Sequence, residues 1–234
     1  FEEHTGEGVP YNTAIETETD DRKYQHALSG VDYLASPSTQ RGQDMLRQSE
    51  QEIRQILEKN KEVLGEEHPE TQKCMANLVL NYRYQDRLDK AEELQGQVLE
   101  ISKKLFGPDH PNTLARMTSL ASIYQSQNRW EEAEELEEKV LETSEKLLGP
   151  DHPNTLVSMA NLASIYQGRN RWKEAEELLE KVLETNEKVF GSDHPDTLMS
   201  MSNLASVYQH QQRWKEAEEL QKQVLETSKK AFGV

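Results

Sequence analysis

Apolar residues along this chain return at helical spacing, in units that repeat. In one unit, a first run places Leu156, Met159 and Leu162 at three-residue intervals, and a second run brings Leu179 and Val182 to one side. Intervals of three and four residues put side chains on a single stripe of a helix. A short polar stretch separates the runs. The pattern therefore predicts two amphipathic helices in each unit.

Glycines mark the length of the unit. Gly65, Gly107, Gly149, Gly191 and Gly233 recur every 42 residues, as 107 − 65 shows. The third copy matches the second at roughly three positions in four, far more than chance allows at a fixed period. A repeat of this length indicates an array of stacked helix pairs.

Proline, aspartate and glycine residues predict where the helices of the third copy begin and end. Pro153 suits a first helical turn, and Asp151 is expected to accept hydrogen bonds from its free N–H groups. The stretch 167–171 predicts a polar turn, and Gly191 is expected to close the second helix in a left-handed conformation. Each copy is therefore predicted to be a helical hairpin.

These patterns predict an all-α fold, a right-handed α-solenoid of antiparallel helix pairs. One hairpin cannot bury its apolar stripe alone, so neighbours must stack into a superhelix with a concave and a convex side. The expected organisation is an acidic non-repeat segment over 1–40, a degenerate half repeat (second helix only) over 41–64, four repeats over 65–106, 107–148, 149–190 and 191–232, and an array truncated after residue 234.

Composition and charge narrow the class of protein. Only 34% of the 234 residues are hydrophobic, 30% are charged, and the net charge is −16. So low an apolar share fits disorder or an extended array, and the periodicity favours the array. The acidic balance argues against nucleic acid, and no apolar run is long enough for a membrane helix. Cys74, the single cysteine, is expected to be a packing residue, and the protein is expected in the cytoplasm.

Several residue patterns could suggest chemistry, but each has a simpler structural interpretation. Asp-His pairs such as Asp151-His152 recur in three of the four repeats, with Glu67-His68 in the first, and stacked repeats separate successive histidines by roughly 10 Å. Zinc needs ligands at about 2.0–2.3 Å, so no metal site is predicted. Trp130, Trp172 and Trp214 open the second helices and are expected to pack within the hairpins. We predict no catalytic residues and no cofactor.

The second helices are rich in glutamate, in the recurring stretch E-A-E-E-L. Glu177 precedes Lys181, and Glu184 precedes Lys188, in the order that stabilises a helix. These carboxylates are expected on a solvated face, where nothing raises their pKa toward catalytic values. A charged outer surface is therefore predicted.

The segment Phe1–Gln40 does not follow the repeat. It is acidic, contains Pro37, and has the apolar spacing of a short helix only over Tyr24–Ala35. Two interpretations stay open. The segment is either a linker to an upstream domain or a cap packed on the first repeat, and the chain is expected to be a piece of a longer protein.

Three motifs resemble the tetratricopeptide repeat in the longer form typical of kinesin light chains: N-L-A-S-I-Y-Q, R-W-K-E-A-E-E-L and G-x-D-H-P. The same form occurs in C-terminal arrays of fungal NLR-like proteins, and near-identical neighbouring repeats favour that group. The resemblance covers Gly65–Phe232 and extends weakly over Arg41–Leu64.

The resemblance implies a partner-binding groove lined by the first helices. By position, the lining residues are Lys73, Leu80, Arg83, Tyr84, Thr118, Ser122, Gln125, Ser164, Gln167, Ser202, Ser206, Gln209 and His210. Light chains commonly carry an asparagine where this chain has Ala76, Thr118, Ala160 and Ser202, which disfavours an acidic cargo peptide. The expected function is a non-enzymatic scaffold for a protein or peptide, as the sensor array of a larger NLR-like protein. The alternatives are a light-chain-like cargo adaptor and the regulatory tail of an enzyme.

Overall fold

The computed structural model describes residues 39–232, and within them it contains nine helices and no strand. The expectations for Tyr24–Ala35 and for a cap or linker therefore lie outside the described residues. The prediction of an all-α fold is confirmed. The helices are α1 Gln40–Leu64, α2 Pro69–Tyr84, α3 Leu88–Phe106, α4 Pro111–Ser126, α5 Trp130–Leu148, α6 Pro153–Gly168, α7 Trp172–Phe190, α8 Pro195–His210 and α9 Trp214–Phe232.

The chain divides into two compact units, the first of which ends at Ala91. In this unit α1 packs against α2 around buried apolar side chains that include Ile53, Leu57 and Met75. Cys74 is fully buried here, and its Sγ lies 3.4 Å from the carbonyl oxygen of Ile53. The expectation that this cysteine is a packing residue is confirmed.

The second unit begins at Glu92 and contains α4 to α9. Each of these helices packs against the next one in the chain, and α4 also contacts α6. The helices of each hairpin cross closely at small residues, because Ala121 and Ala133 are completely buried in one cluster, and Ala163 and Ala175 in another. Small residues at these points let neighbouring helices approach closely, as the repeat requires.

The first helices are capped by histidine, which corrects the expectation that Asp151 does so. His152 holds the N-cap position of α6 in an extended conformation, and its Nδ1 accepts a hydrogen bond from the Asn154 N–H at 3.1 Å. Because Pro153 occupies the first turn and has no N–H, the cap has to reach the next residue. His68, His110 and His194 do the same.

The glycines that end the second helices have a positive φ, but they are not in the left-handed helical region that was predicted. Gly149 has φ 93° and ψ 163°, a combination that residues with a Cβ can scarcely adopt. The next turn is also shorter than predicted, because α6 continues through Gly168 and Asn170 is the residue with positive φ, 59°. Glycine is therefore required at the linker but not at the hairpin turn.

Candidate partner-binding face

In the second unit, the predicted groove residues lie on one side of α4, α6 and α8, which we call the first-helix face. Thr118, Ser122, Gln125, Gln167, Ser206 and Gln209 are half-buried, and Ser164, Ser202 and His210 are exposed. These side chains are small or uncharged, and the contact between α4 and α6 makes part of the face continuous. A surface of this kind is able to accept a polypeptide, and its role as a binding site stays a prediction.

In the first unit, the four remaining predicted residues lie on α2. Leu80 and Tyr84 are each 47% exposed, Lys73 is exposed and Arg83 is half-buried. Tyr84 also borders an open cleft of about 770 Å³ together with Leu46, Arg47 and Arg87.

Two apolar notches lie along the first-helix face at equivalent positions of successive repeats. The α4–α6 notch has a volume of about 240 Å³, and the α6–α8 notch has one of about 150 Å³. Val157 lines both notches and is 57% exposed, while Met199 lines the second and is 58% exposed. Exposed apolar side chains beside a recess are the elements of a ligand-binding surface.

A buried acid adjoins the first of these notches. Glu137 of α5 has no exposed surface, and its Oε1 accepts hydrogen bonds from Asn161 Nδ2 at 3.1 Å and from Thr118 Oγ1 at 3.4 Å. Its Oε2 is buried and has no hydrogen-bond partner within the described residues. Burial raises the pKa of Glu137, against the two hydrogen bonds, which lower it. This carboxyl is therefore partly unsatisfied, and its pKa lies above the ordinary value for a glutamate.

Arginines link successive second helices. Arg129, Arg171 and Arg213 each form an ion pair with the glutamate 37 positions earlier, Glu92, Glu134 and Glu176. Each guanidinium also lies over a tyrosine ring, at 4.0–4.2 Å from its centroid. The hydrogen bonds that Arg171 donates to Glu174 and to Glu134 raise its pKa. Since their charges are already paired, these arginines serve the stacking of repeats.

The first unit contains the same arrangement. Arg87 pairs with Glu50 of α1 and lies over the Tyr82 ring at 4.8 Å. Burial alone would raise the pKa of Glu50, but the hydrogen bond from Gln85 and the charge of Arg87 lower it further than burial raises it. Helix α1 thus provides, in Glu50, the glutamate that the later second helices also provide for this ion pair. This similarity supports the interpretation of 41–64 as a degenerate second helix.

These contacts correct the expectation that the E-A-E-E-L acids lie on a solvated face. Glu134 of this stretch is buried between Arg169 and Arg171, and Glu137, which directly follows the stretch, is buried with no cation beside it in the described chain. The pair Glu184–Lys188 forms as predicted at 2.6 Å. Lys181, in contrast, contacts Glu145 of the preceding second helix at 3.4 Å and not Glu177. The ion pairs therefore connect repeats as well as turns of one helix.

The tryptophans pack between repeats as well as within hairpins. Trp172 stacks on the His210 ring at a centroid distance of 4.3 Å and an interplanar angle of 12°. Trp130 occupies the space where a Cβ on Gly168 would lie only 2.4 Å from its ring. The prediction of packing within the hairpins therefore did not include these contacts with the following repeat. Trp214, with no such neighbour in the described chain, is 63% exposed.

Among residues 39–232, no group of three or more His, Cys, Asp and Glu side chains is arranged to hold a metal ion. No helix there is long and apolar enough to cross a membrane.

Sequence reasoning missed both Glu137 and the arginine links. The arginine links had a detectable signal, because Glu50, Glu92, Glu134 and Glu176 recur at the repeat period, each 37 residues before an arginine. Glu137 had none, since its equivalents Gln95, Leu179 and Gln221 differ in chemistry.

Stacked pairs of antiparallel helices define a helical-repeat protein. The model of the tetratricopeptide repeat family matches residues 74–146, 130–188 and 159–230. The chain belongs to that family, and the resemblance inferred from its motifs is confirmed.

Solved structures agree with this assignment. A point variant of a putative kinesin light chain of Podosopora anserina with nearly identical TPR-like repeats is 28% identical, with a TM-score of 0.74 over 93% of this chain and 96% of that one. A second structure described as that protein is 29% identical, with a TM-score of 0.71 over 92% and 95%. BtubC (BKLC) of P. vanneervenii is 20% identical, with a TM-score of 0.70 over 95% and 94%, and shares the fold. No curated protein matches the sequence.

Proposed function

We propose that this chain is a non-enzymatic interaction module that binds a protein or peptide partner on its first-helix face. The observation that carries the proposal is the pair of apolar notches, joined by the exposed Val157 and bordered by small uncharged side chains. Burying such apolar surface favours association, and the glutamine and serine side chains along α4, α6 and α8 offer hydrogen bonds to an extended backbone.

We further propose that the array serves as the sensor part of a larger NLR-like protein. The near-identity of neighbouring repeats supports this role over a light-chain-like cargo adaptor. The buried thiol of Cys74, the single cysteine of the sequence, fits a reducing compartment such as the cytoplasm.

A random peptide library displayed on phage tests the binding proposal. Peptides selected on the wild-type protein should bind at least about tenfold more weakly when Gln125, Gln167 and Gln209 are changed to alanine and Ser164 to tryptophan, because the face loses hydrogen bonds and is blocked. A matched control changes the exposed Glu142 and Glu187 of the second helices to alanine. Equal loss in both variants, or none in the first, would show that partners use another surface.

The sensor role has its own test, the sequence upstream of Phe1 in the complete gene. A phosphate-binding loop within a nucleotide-binding domain there would support it. A heptad coiled coil would favour the cargo adaptor, and a catalytic domain would favour the regulatory tail of an enzyme.

A further inference from the structure

Glu137 is buried next to the α4–α6 notch and does not itself line it. Val140, Ser144 and Leu148 of α5 line the notch, and Glu137 precedes Val140 by three residues on the same side of the helix. At a rise of 1.5 Å per residue, the Cα atoms of Glu137 and Val140 are about 4.5 Å apart along the helix axis. Thr118 connects the two features, since it lines the notch and also bonds the carboxyl.

The carboxyl has capacity for one more donor. Oε1 accepts from Thr118 and Asn161, whereas Oε2 is buried and has no partner among the described residues. The Thr118 contact, at 3.4 Å, exceeds the usual 2.5–3.0 Å for hydroxyl donors, so an incoming donor would displace a weak bond. An unsatisfied carboxylate of this kind is stabilised most by a charged donor.

From this geometry we infer that the α4–α6 notch recognises a lysine side chain of the partner, with its aliphatic stem in the apolar notch and its ammonium on Glu137. This inference rests on the proposed function of the first-helix face. Apolar walls followed by an acid match a side chain that has an apolar stem and a charged head.

Two observations favour lysine over other occupants. The side chains lining the notch include no cation, and the protein carries a net charge of −16, so a basic partner is attracted and an acidic one is repelled. Only one carboxyl oxygen lacks a donor, which suits the point charge of lysine better than the two-pronged guanidinium of arginine.

The neighbouring notch provides an internal control. In the α6–α8 notch, Ala160 replaces Thr118, and the position of Glu137 holds the fully buried, apolar Leu179. That notch has a similar outline without the acid. Lysine recognition is therefore expected in the first notch only.

The test uses n-butylammonium, which has the stem and head of lysine, and n-butanol, its uncharged analogue. Amide NMR of the wild-type protein should report n-butylammonium binding at Thr118, Ser144 and Asn161. Its affinity should fall about tenfold or more in Glu137→Gln, the loss expected for a hydrogen bond to a charged group. Binding of n-butanol should be weaker and nearly equal in both proteins.

Glu137→Leu serves as a second variant, because Leu179 already occupies the equivalent position in a folded interface. Unchanged n-butylammonium affinity in either variant would overturn the inference. The same holds if the signals move at Ala160 and Asn186 of the other notch.

The selected peptides separate this inference from the proposed function. Selected peptides could depend on Gln125 and Gln209 and yet bind Glu137→Gln as tightly as they bind wild type. That result would support binding on the first-helix face and would refute the lysine site. If instead no peptide depends on the first-helix face while n-butylammonium still requires Glu137, the site exists and the proposed function fails.

Discussion

Two interfaces of the second unit have the same backbone arrangement and different centres. Between α4, α5 and α6 the central residue is the buried Glu137, which is held by Thr118 and Asn161. One repeat later it is Leu179, packed in a cluster with Ala163 and Leu204. The repeat architecture therefore tolerates an acid or an aliphatic side chain at this position. Only the apolar centre satisfies every atom that it buries, so we expect the acidic centre to be the less stable one and propose that it serves lysine recognition.

Transferring the acid to the apolar interface should have the largest effect. Leu179→Glu should lower the free energy of unfolding by about 3–5 kcal/mol at neutral pH, because packing is lost and a carboxyl is buried beside Ala160, which cannot donate. Urea denaturation measures this. Adding Ala160→Thr should recover part of the loss, since Asn203 is already in place. If Leu179→Glu costs nothing, the two centres are equivalent.

Removing a donor from the acidic centre should have the next largest effect. Asn161→Ala should cost about 1–3 kcal/mol at neutral pH, because it removes the shorter of the two hydrogen bonds to a buried carboxyl. The matched control, Asn203→Ala, changes an exposed residue one repeat later and should cost much less. Chemical denaturation of both variants compares them, and equal losses would contradict the role of Asn161.

Replacing the acid itself should stabilise the protein in a pH-dependent way. Burial raises the pKa of Glu137 in the folded state above its value in the unfolded chain. A group shifted in this direction supports folding fully below its unfolded pKa, and the support is lost as pH rises through the folded pKa. Glu137→Leu should therefore gain about 1–2 kcal/mol over wild type at neutral pH.

Thermal unfolding of both proteins, measured from pH 4 to pH 8, checks the sign of this pH dependence. The gain of Glu137→Leu should grow with pH, and a gain that instead grows toward acid would mean that the carboxyl is stabilised as an anion.

Removing a histidine cap should have the smallest effect on stability. The loss should be similar at the two interfaces, because both contain such a cap. His152→Ala and His194→Ala should each cost about 1 kcal/mol by removing the N-cap bond. His194 also stacks on Phe190 at 4.6 Å, so its loss should be larger by about 0.5 kcal/mol. Differential scanning calorimetry can resolve the two. A smaller loss for His194→Ala would mean that the stacking contributes nothing.

Much of this fold could be predicted because the repeat combines independent local signals. The stripe of Leu156, Met159 and Leu162 set the buried face, and Pro153 set the start of α6 within one residue. The choice of capping side chain could not be predicted, since Asp151 and His152 are both able to accept hydrogen bonds. The extended φ and ψ angles of His152 and its bond from the Asn154 N–H show that the histidine lies at the cap.

For the candidate site, the sequence indicated which side chains lie on the first-helix face but not what lies beneath it. Thr118 was assigned to the face from its position in the motif. Its bond to Glu137, 19 residues away, depends on how α4, α5 and α6 pack. The same packing pairs Arg171 with Glu134 across two second helices.

By itself the sequence determined the period, the helix pairs and the buried stripes, because helical spacing and glycine linkers act within a few residues. The tertiary structure alone decided which glutamates are buried. An acid at the centre of an interface and an acid on the solvent face have the same local propensities, and they differ only in the helices that surround them. That difference distinguishes Glu137 from the exposed Glu138 beside it.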